Sequence, residues 1–344
     1  MLLAVPANAQ TSTLPLTSGD LFKAYDNYQK GIYAKAFETF KSLSDKGDAH
    51  ATYGLGVCYY NGRGTTKNLK EAFKCFDRSY NRGIKSAAFI IGKCYLYGLG
   101  VEKQIGFALT YLGAAANQGN QEAKTLIQEA KTLISNEKQR LLAKGAVDLG
   151  LPSGTLWASH NVGGITELPE ENGWYFAWAA REARNNGFVW NATPYCEDTQ
   201  QGLIFSKYVT DNKTTLDLSD DAAAFNWGNN WCMPTRQQFQ ELIDNCTWTW
   251  TTRNGKNGYE VKGKNGNSIF LPAAGSRNDY FPNTNKAGNS GVYWSSSLGD
   301  TYTYQYGFAI TFNSDYHSVE VESVQRFIGC SIRPVCRERF PSLD

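Results

Sequence analysis

Three sets of small residues recur in this chain at one interval. Ala36, Ala72 and Ala108 stand 36 residues apart, as do Gly47, Gly83 and Gly119, and Ala51, Ala87 and Ala123. Between the last two units Gly56/Gly92, Cys58/Cys94, Gly62/Gly98 and Gly64/Gly100 match as well. Small residues in such a register predict stacked helical hairpins. Ala and Gly let two helices cross closely, and the Gly-x-Gly pairs belong in the turns. Residues 124–144, apolar at 126, 127, 133, 134, 141 and 142, read as a capping or linking helix that ends at Gly145.

The phrase Leu55-Gly56-x-x-Tyr59-x-x-Gly62-x-Gly64, followed by Ala72 and Gly83, resembles the Sel1-like repeat, a relative of the tetratricopeptide repeat. So does Ile91-Gly92-x-x-Tyr95-x-x-Gly98-x-Gly100-Val101, followed by Ala108, Ala115-Ala116 and Gly119. Asn68 and Gln104 stand where the pattern usually has an acidic residue. The resemblance implies an adaptor or scaffold that holds a protein partner. The alternative is a short stack that only supports the following domain.

Past Val147 the texture changes. All nine Trp lie between Trp157 and Trp294. Residues 1–144 carry 19 Lys/Arg against 11 Asp/Glu, and the remainder 15 against 21. Short runs with β-propensity alternate with Gly/Asn/Pro turns: 147–149, 156–158, 175–177, 247–252, 259–261, 269–271, 293–295, 308–312 and 330–335. Thr235 after Pro234, with Gln238 three residues on, predicts a capped helix whose apolar face is Phe239, Leu242 and Ile243. Asp220-Asp221 reads as an acidic helix start. A helix among many short strands reads as α+β. The fold class expected is therefore multidomain, an all-α helical-repeat solenoid followed by an α+β domain. Residues 1–20 form a leader and unstructured segment, 21–144 the repeats, and 145–344 the second domain.

Five motifs follow one another in that second domain: the segment from Val147 through Ala158, Met233-Pro234-Thr235, Phe270-Leu271-Pro272-Ala273-Ala274-Gly275, Tyr293-Trp294-Ser295-Ser296-Ser297, and Gly329-x-Ser331-Ile332-Arg333-Pro334-Val335. In this order they resemble the Fibrobacter succinogenes major paralogous domain, or FISUMP domain. Cys232 and Cys330 depart from the usual pattern. The resemblance implies a C-type-lectin-like fold, an exported bacterial protein, and a ligand face on the loops between the late strands. Related domains include variable products of diversity-generating retroelements, rich in Asn, Tyr, Ser, Asp and His. Asn278-Asp279-Tyr280, Tyr302-x-Tyr304-x-Tyr306 and Asp315-Tyr316-His317 have that composition and are the candidate ligand-binding residues. In an extended segment Tyr302, Tyr304 and Tyr306 share one face. They either form a binding face or extend the core stripe of Phe308, Ile310 and Phe312, which has the same parity.

Other chemistry finds little to build on. The three His, at 50, 160 and 317, are scattered, and the calcium tripeptides of sugar-binding lectins are missing, so neither metal nor cofactor is expected. Cys330 and Cys336 invite comparison with a formylglycine-generating oxidase of lectin-like fold, but the residues around them are a strand motif, and no enzyme is expected. On a straight strand those two Cys stand roughly 20 Å apart, too far to pair. Cys232 with one of them stays open, and Cys58 and Cys94 read as buried thiols. Ala7-Asn8-Ala9 has the form of a signal-peptidase site, which predicts a periplasmic, cell-surface or secreted location, and an ordinary N-terminal segment is the alternative. No apolar run approaches membrane-spanning length. The expected partner is a protein or glycan, not nucleic acid; a purely structural surface role is the rival.

Overall fold

The computed structural model describes residues 19–164, 166–209, 213–281, 286–299, 304–316 and 318–337. The chain forms two compact units that divide between Glu137 and Lys138. No described helix is long and apolar enough to cross a membrane.

The first unit is helical: α1 (Gly19–Gln29), α2 (Tyr33–Asp45), α3 (Ala49–Asn61), α4 (Leu69–Asn81), α5 (Ala87–Tyr97), α6 (Ile105–Asn117) and the start of α7 (Gln121–Leu142). The repeated alanines Ala36, Ala51, Ala72, Ala87, Ala108 and Ala123 are all buried where helices cross. Asp48 caps α3 by accepting the Ala51 N–H at 2.9 Å. Asn68, in the position the repeat usually gives to an acid, caps α4 by accepting from Glu71 N–H at 3.1 Å. Gln104 makes no side-chain cap at α6. An uncharged amide thus replaces the acid in one repeat, and the other leaves that helix start without a side-chain cap.

The Gly-x-Gly pairs close each hairpin. Gly62 and Gly98 end α3 and α5 in the left-handed conformation and donate to Cys58 O and Cys94 O. The second glycine of each pair has a further reason to be glycine. A Cβ on Gly64 would lie 2.2 Å from Tyr33 O, and one on Gly100 would lie 2.0 Å from Leu69 O. Tyr33 and Leu69 are themselves 36 residues apart, so the same backbone-to-backbone contact recurs in both repeats.

The second unit is rich in small antiparallel sheets. Its strands are β1 (Ala146–Asp148), β2 (Leu156–Ala158), β3 (Cys196–Thr199), β4 (Gly202–Phe205), β5 (Trp231–Cys232), β6 (Thr247–Arg253), β7 (Lys256–Lys262), β8 (Ser268–Pro272), β9 (Ser290–Leu298), β10 (Tyr306–Asn313), β11 (Val319–Gln325) and β12 (Val335–Cys336). They pair as β1-β2-β12-β5, β6-β7-β8, β11-β10-β9 and the hairpin β3-β4. Two helices, α8 (Ala222–Trp227) and α9 (Arg236–Asn245), lie between β4 and β6 in the chain. The capping box of α9 is present as the sequence predicts, with Thr235 and Gln238 each serving the other's backbone. Asp221 caps α8, the acidic helix start read from Asp220-Asp221.

Within the β9–β11 sheet, β9 and β10 carry buried residues on both faces. Tyr293, Ile310 and Phe312 pack with Phe239, Leu242, Tyr259 and Leu271. Trp294 and Ala309 pack with Phe176, Trp178, Tyr208 and Met233. Trp294 pairs with Ala309 and Leu298 with Gly307, so Ser295, Ser296 and Ser297 together stand opposite Phe308. This bulge gives the Tyr-Trp-Ser-Ser-Ser motif its structural meaning. Ser295 O accepts from Trp178 Nε1 at 3.0 Å, Ser296 N donates to Pro234 O at 2.8 Å, and Ser297 Oγ accepts from Arg236 N at 3.0 Å.

The run 330–335 is not the continuous strand its composition suggests. Cys330 and Ser331 make single bridges, to Phe176 and Tyr293, and only Val335–Cys336 forms a strand. Pro334 has no N–H to give a ladder, and Arg333 turns its side chain into the interior. That guanidinium is fully buried and donates to Asn161 Oδ1 at 2.7 Å, Phe270 O at 2.8 Å, Ser159 O at 3.0 Å and Ala158 O at 3.3 Å. Burial pushes its pKa down to about 10, which still leaves it a cation at neutral pH. Likewise 175–177 makes only single bridges, Tyr175 with Arg184 and Phe176 with Cys330. Cys58 and Cys94 are buried thiols as expected, and burial pushes each up to about 12.

Two stability measurements test these contacts. Gly83→Ala, at a left-handed position with open space around it, is expected to cost about 1 kcal/mol in urea unfolding. Gly100→Ala, which adds a backbone collision, is expected to cost at least twice that. Arg333→Met strips a donor from several buried oxygens, each worth about 1–3 kcal/mol, so a loss of about 3 kcal/mol or more is expected in the same assay.

Candidate functional site

The candidate residues 278–280 form a corner whose polar atoms are already committed. Asn278 is buried, and its Oδ1 accepts from Tyr280 N at 3.1 Å and Phe281 N at 3.3 Å, which closes a side-chain-mediated turn. The Asp279 carboxylate accepts from Gly187 N and from Phe188 N, the latter at 3.1 Å. The Tyr280 ring meets Phe327 edge-on at 5.2 Å, and Phe327 meets Trp190 at 4.7 Å. What the corner offers to solvent is aromatic: Tyr280 is 46% and Phe281 65% exposed.

Tyr304 and Tyr306 do not share an extended face. Tyr304 has φ 56° in the left-handed region, which breaks the alternation, and it packs half-buried against the Trp178 cluster. Tyr306 opens β10 opposite Gln325. Their link to the corner is indirect: Gln305 O, between them, accepts from Arg326 N at 2.9 Å, and the next residue, Phe327, touches Tyr280. Asp315 and Tyr316 lie at the other end of β10, roughly 23 Å away along the strand. There Asn313 Oδ1 accepts from Asp315 N at 3.1 Å and Tyr316 N at 2.8 Å, while the Tyr316 side chain is 82% exposed. The structure thus holds Asn278, Asp279 and Tyr280 in one corner, places Tyr304 with the Trp178 cluster and Tyr306 opposite Gln325, and sets Asp315 and Tyr316 apart. Tyr302 and His317 lie outside the described residues.

A polar cluster that the sequence reading did not find surrounds Asp220. Its carboxylate is buried and accepts from Tyr195 OH at 2.8 Å, Tyr208 OH and Lys207 Nζ. Lys207 also reaches Asp217 at 3.0 Å, and Asp217 N donates to Tyr208 OH at 2.9 Å. Burial on its own raises the Asp220 carboxyl, but the hydrogen bonds from Lys207, Tyr208 and Tyr195 outweigh it and hold the group below its ordinary value. Tyr208 is fully buried, which makes the cluster a brace between loops rather than an open acid–base couple. The three donors to the Asp220 carboxylate lie 12 to 25 residues before it, so only the Asp-Asp doublet marked the cluster in the sequence. Among the described residues no three His, Cys, Asp or Glu side chains are arranged to hold a metal ion.

On the repeat unit, aromatic rings gather between α4, α5 and α6. Tyr95 stacks on Phe107 at 5.2 Å and on Tyr111 at 5.8 Å, with Phe73 and Tyr80 set edge-on to Tyr95 and Tyr111. Phe107 is 52% exposed.

A protein-family profile described as Sel1 repeat matches residues 49–84 and 85–120. These are the hairpins α3–α4 and α5–α6, so the N-terminal unit carries two Sel1 repeats in tandem. Among solved structures the chain is similar to a Sel1 repeat protein from Oxalobacter formigenes, at 26% identity over 31% of this chain and 46% of that one, with a TM-score of 0.29. It is also similar to a protective antigen of uropathogenic Escherichia coli with an SLR fold, at 23% identity over 33% of this chain and 25% of that one, TM-score 0.31. A third is Helicobacter pylori cysteine rich protein B, at 21% identity over 31% of this chain and 94% of that one, TM-score 0.26. The chain thus spans less than half the length of the first two. No curated protein matches it.

Asp220 carries a pH test. Its folded-state pKa is depressed, so its contribution is present above its ordinary value of 3.8 and is lost as pH falls through the lower folded value. Asp220→Asn is expected to cost about 1–3 kcal/mol at neutral pH and to flatten the stability curve below pH 3.8, measured by urea unfolding across the acid range.

Proposed function

We propose that this chain is an exported, non-catalytic binding protein. Its Sel1 repeats hold a protein partner, and its C-terminal unit, a FISUMP domain of C-type-lectin-like fold, presents a protein or glycan ligand surface. The five ordered motifs support the domain assignment, and four small antiparallel sheets joined by long loops are compatible with it. Export rests on the Ala7-Asn8-Ala9 triplet, which lies outside the described residues.

The observation that carries the binding role is the corner at Tyr280 and Phe281. Its backbone is locked by Asn278 and Asp279, yet its two aromatic rings face water. Rigid exposed aromatics give contact area at little cost in conformational entropy. The cysteine-enzyme alternative has little support. Cys330 is fully buried, and burial raises its thiol well above the ordinary value, so it is neither accessible nor a thiolate.

Full-length protein screened on protein and glycan arrays tests this function. A specific hit is expected to weaken about tenfold or more with Tyr280→Ala combined with Phe281→Ala. Binding unchanged in that variant, with its fold intact by circular dichroism, overturns the assigned surface.

A further inference from the structure

Four strands of five or more residues end a sheet in the C-terminal unit, and three of them are covered, bridged or charged against further pairing. β8 is buried, and its Phe270 O takes Arg333 Nη2 at 2.8 Å. β9 is bridged by Gly275 at Gly291 and by Ser331 at Tyr293. β11 carries Glu320 and Glu322, the charge that natural edges use to discourage pairing. The fourth, β6, has none of these devices.

β6 reads Thr247-Trp248-Thr249-Trp250-Thr251-Thr252-Arg253 and pairs with β7 at every residue without a bulge. Trp248 and Trp250 face inward onto Tyr259, at 5.7 and 5.2 Å, and so hold the strand flat against its core. The strand has no proline and no charge before Arg253, and Arg253 is already paired with Glu170 at 2.5 Å. Among the described residues, no backbone group of another segment bonds its outer edge. Threonine and tryptophan are strong strand formers, so this is a preformed edge ready to accept one more strand.

We propose that β6 pairs edge to edge with β6 of a second copy of this chain, antiparallel about a twofold axis at Trp250. Full overlap sets Thr249 of one copy opposite Thr251 of the other, Trp248 opposite Thr252 and Thr247 opposite Arg253. No like charges meet, and cross-strand threonine pairs favour the ladder. The same operation on β11 sets Glu322 against its own counterpart, which disfavours that edge. The result is a six-stranded sheet continuous across the dimer, closed by symmetry. It is independent of which ligand the aromatic corner takes.

Sedimentation velocity of the full-length protein over a micromolar dilution series is expected to show a concentration-dependent dimer. Thr249→Lys combined with Thr251→Lys places two lysine pairs across the twofold and is expected to weaken the dimer about tenfold. Thr249→Lys combined with Thr251→Glu sets opposite charges face to face and is expected to restore it. Both variants alter the same two positions, so a general loss of fold would affect them alike. A monomer throughout the wild-type series overturns the inference, as does a double-lysine variant that dimerises as tightly as wild type. Hydrogen exchange supplies a test without mutation. Amides of 247–253 should gain protection as the dimer fills, and a dimer that leaves them unchanged places the interface elsewhere.

Discussion

Burying a guanidinium costs free energy that only its hydrogen bonds can recover. Arg333 has no carboxylate among its hydrogen-bond partners; it spends its donors on four neutral oxygens, and these belong to different parts of the C-terminal unit. Ala158 ends β2, Ser159 and Asn161 follow it, and Phe270 lies in β8. The network continues outward. Asn161 Nδ2 donates to Asn172 O at 3.0 Å and to Tyr293 OH at 3.3 Å, and Tyr293 OH donates to Pro272 O at 2.7 Å. One buried cation thus ties the β1-β2-β12-β5 sheet to the β6-β7-β8 sheet and, through Tyr293, to β9. Three strands with an apolar face are about the least that is stable alone, and this unit links three such small sheets through a single polar centre.

The repeat unit solves the same problem of holding short elements together without a buried charge. It does so by bringing backbones into contact. At Gly64 and Gly100 the turn lies directly on a carbonyl of an earlier helix start, Tyr33 O and Leu69 O, with no room for a side chain. Because the contact is made by main chain, it survives changes in every neighbouring side chain. It explains why the small residues keep their register while the helix faces diverge, as with Cys75 in one repeat and Tyr111 in the next.

How much was legible in the sequence follows from the range of each interaction. Local signals read correctly: the repeat period, the Thr235/Gln238 box and the Asp221 cap all act within a few residues. The β3–β4 hairpin and β11 were missed, since Cys-Glu-Asp-Thr and a strand with two Glu among seven residues carry weak strand propensity. The continuous strand expected at 330–335 fails because Arg333 and Pro334 serve distant partners. At the candidate site, the composition of 278–280 and 315–316 pointed to the loops, but it could not show that Asn278 and Asp279 spend their polar atoms on backbone. Nor could parity show that Tyr304 turns left-handed, because alternation assumes an extended chain. The Asp220 cluster left almost no local trace, since its partners meet only in three dimensions.

A common economy runs through the surface of the C-terminal unit. Three polar side chains of turns are directed back to fix the main chain: Asn278 holds 280–281, Asp279 holds 187–188 and Asn313 holds 315–316. The aromatic side chains then project from backbones that are already ordered. A partner that covers Tyr280, Phe281 or Tyr316 therefore meets rings whose attachment points have lost their freedom during folding, and binding need not order those loops again. A surface built this way separates the residues that set geometry from those that make contact. On the proposed binding role, exchanging the aromatic residues would alter the contact surface while leaving in place the hydrogen bonds of Asn278, Asp279 and Asn313 that fix the main chain.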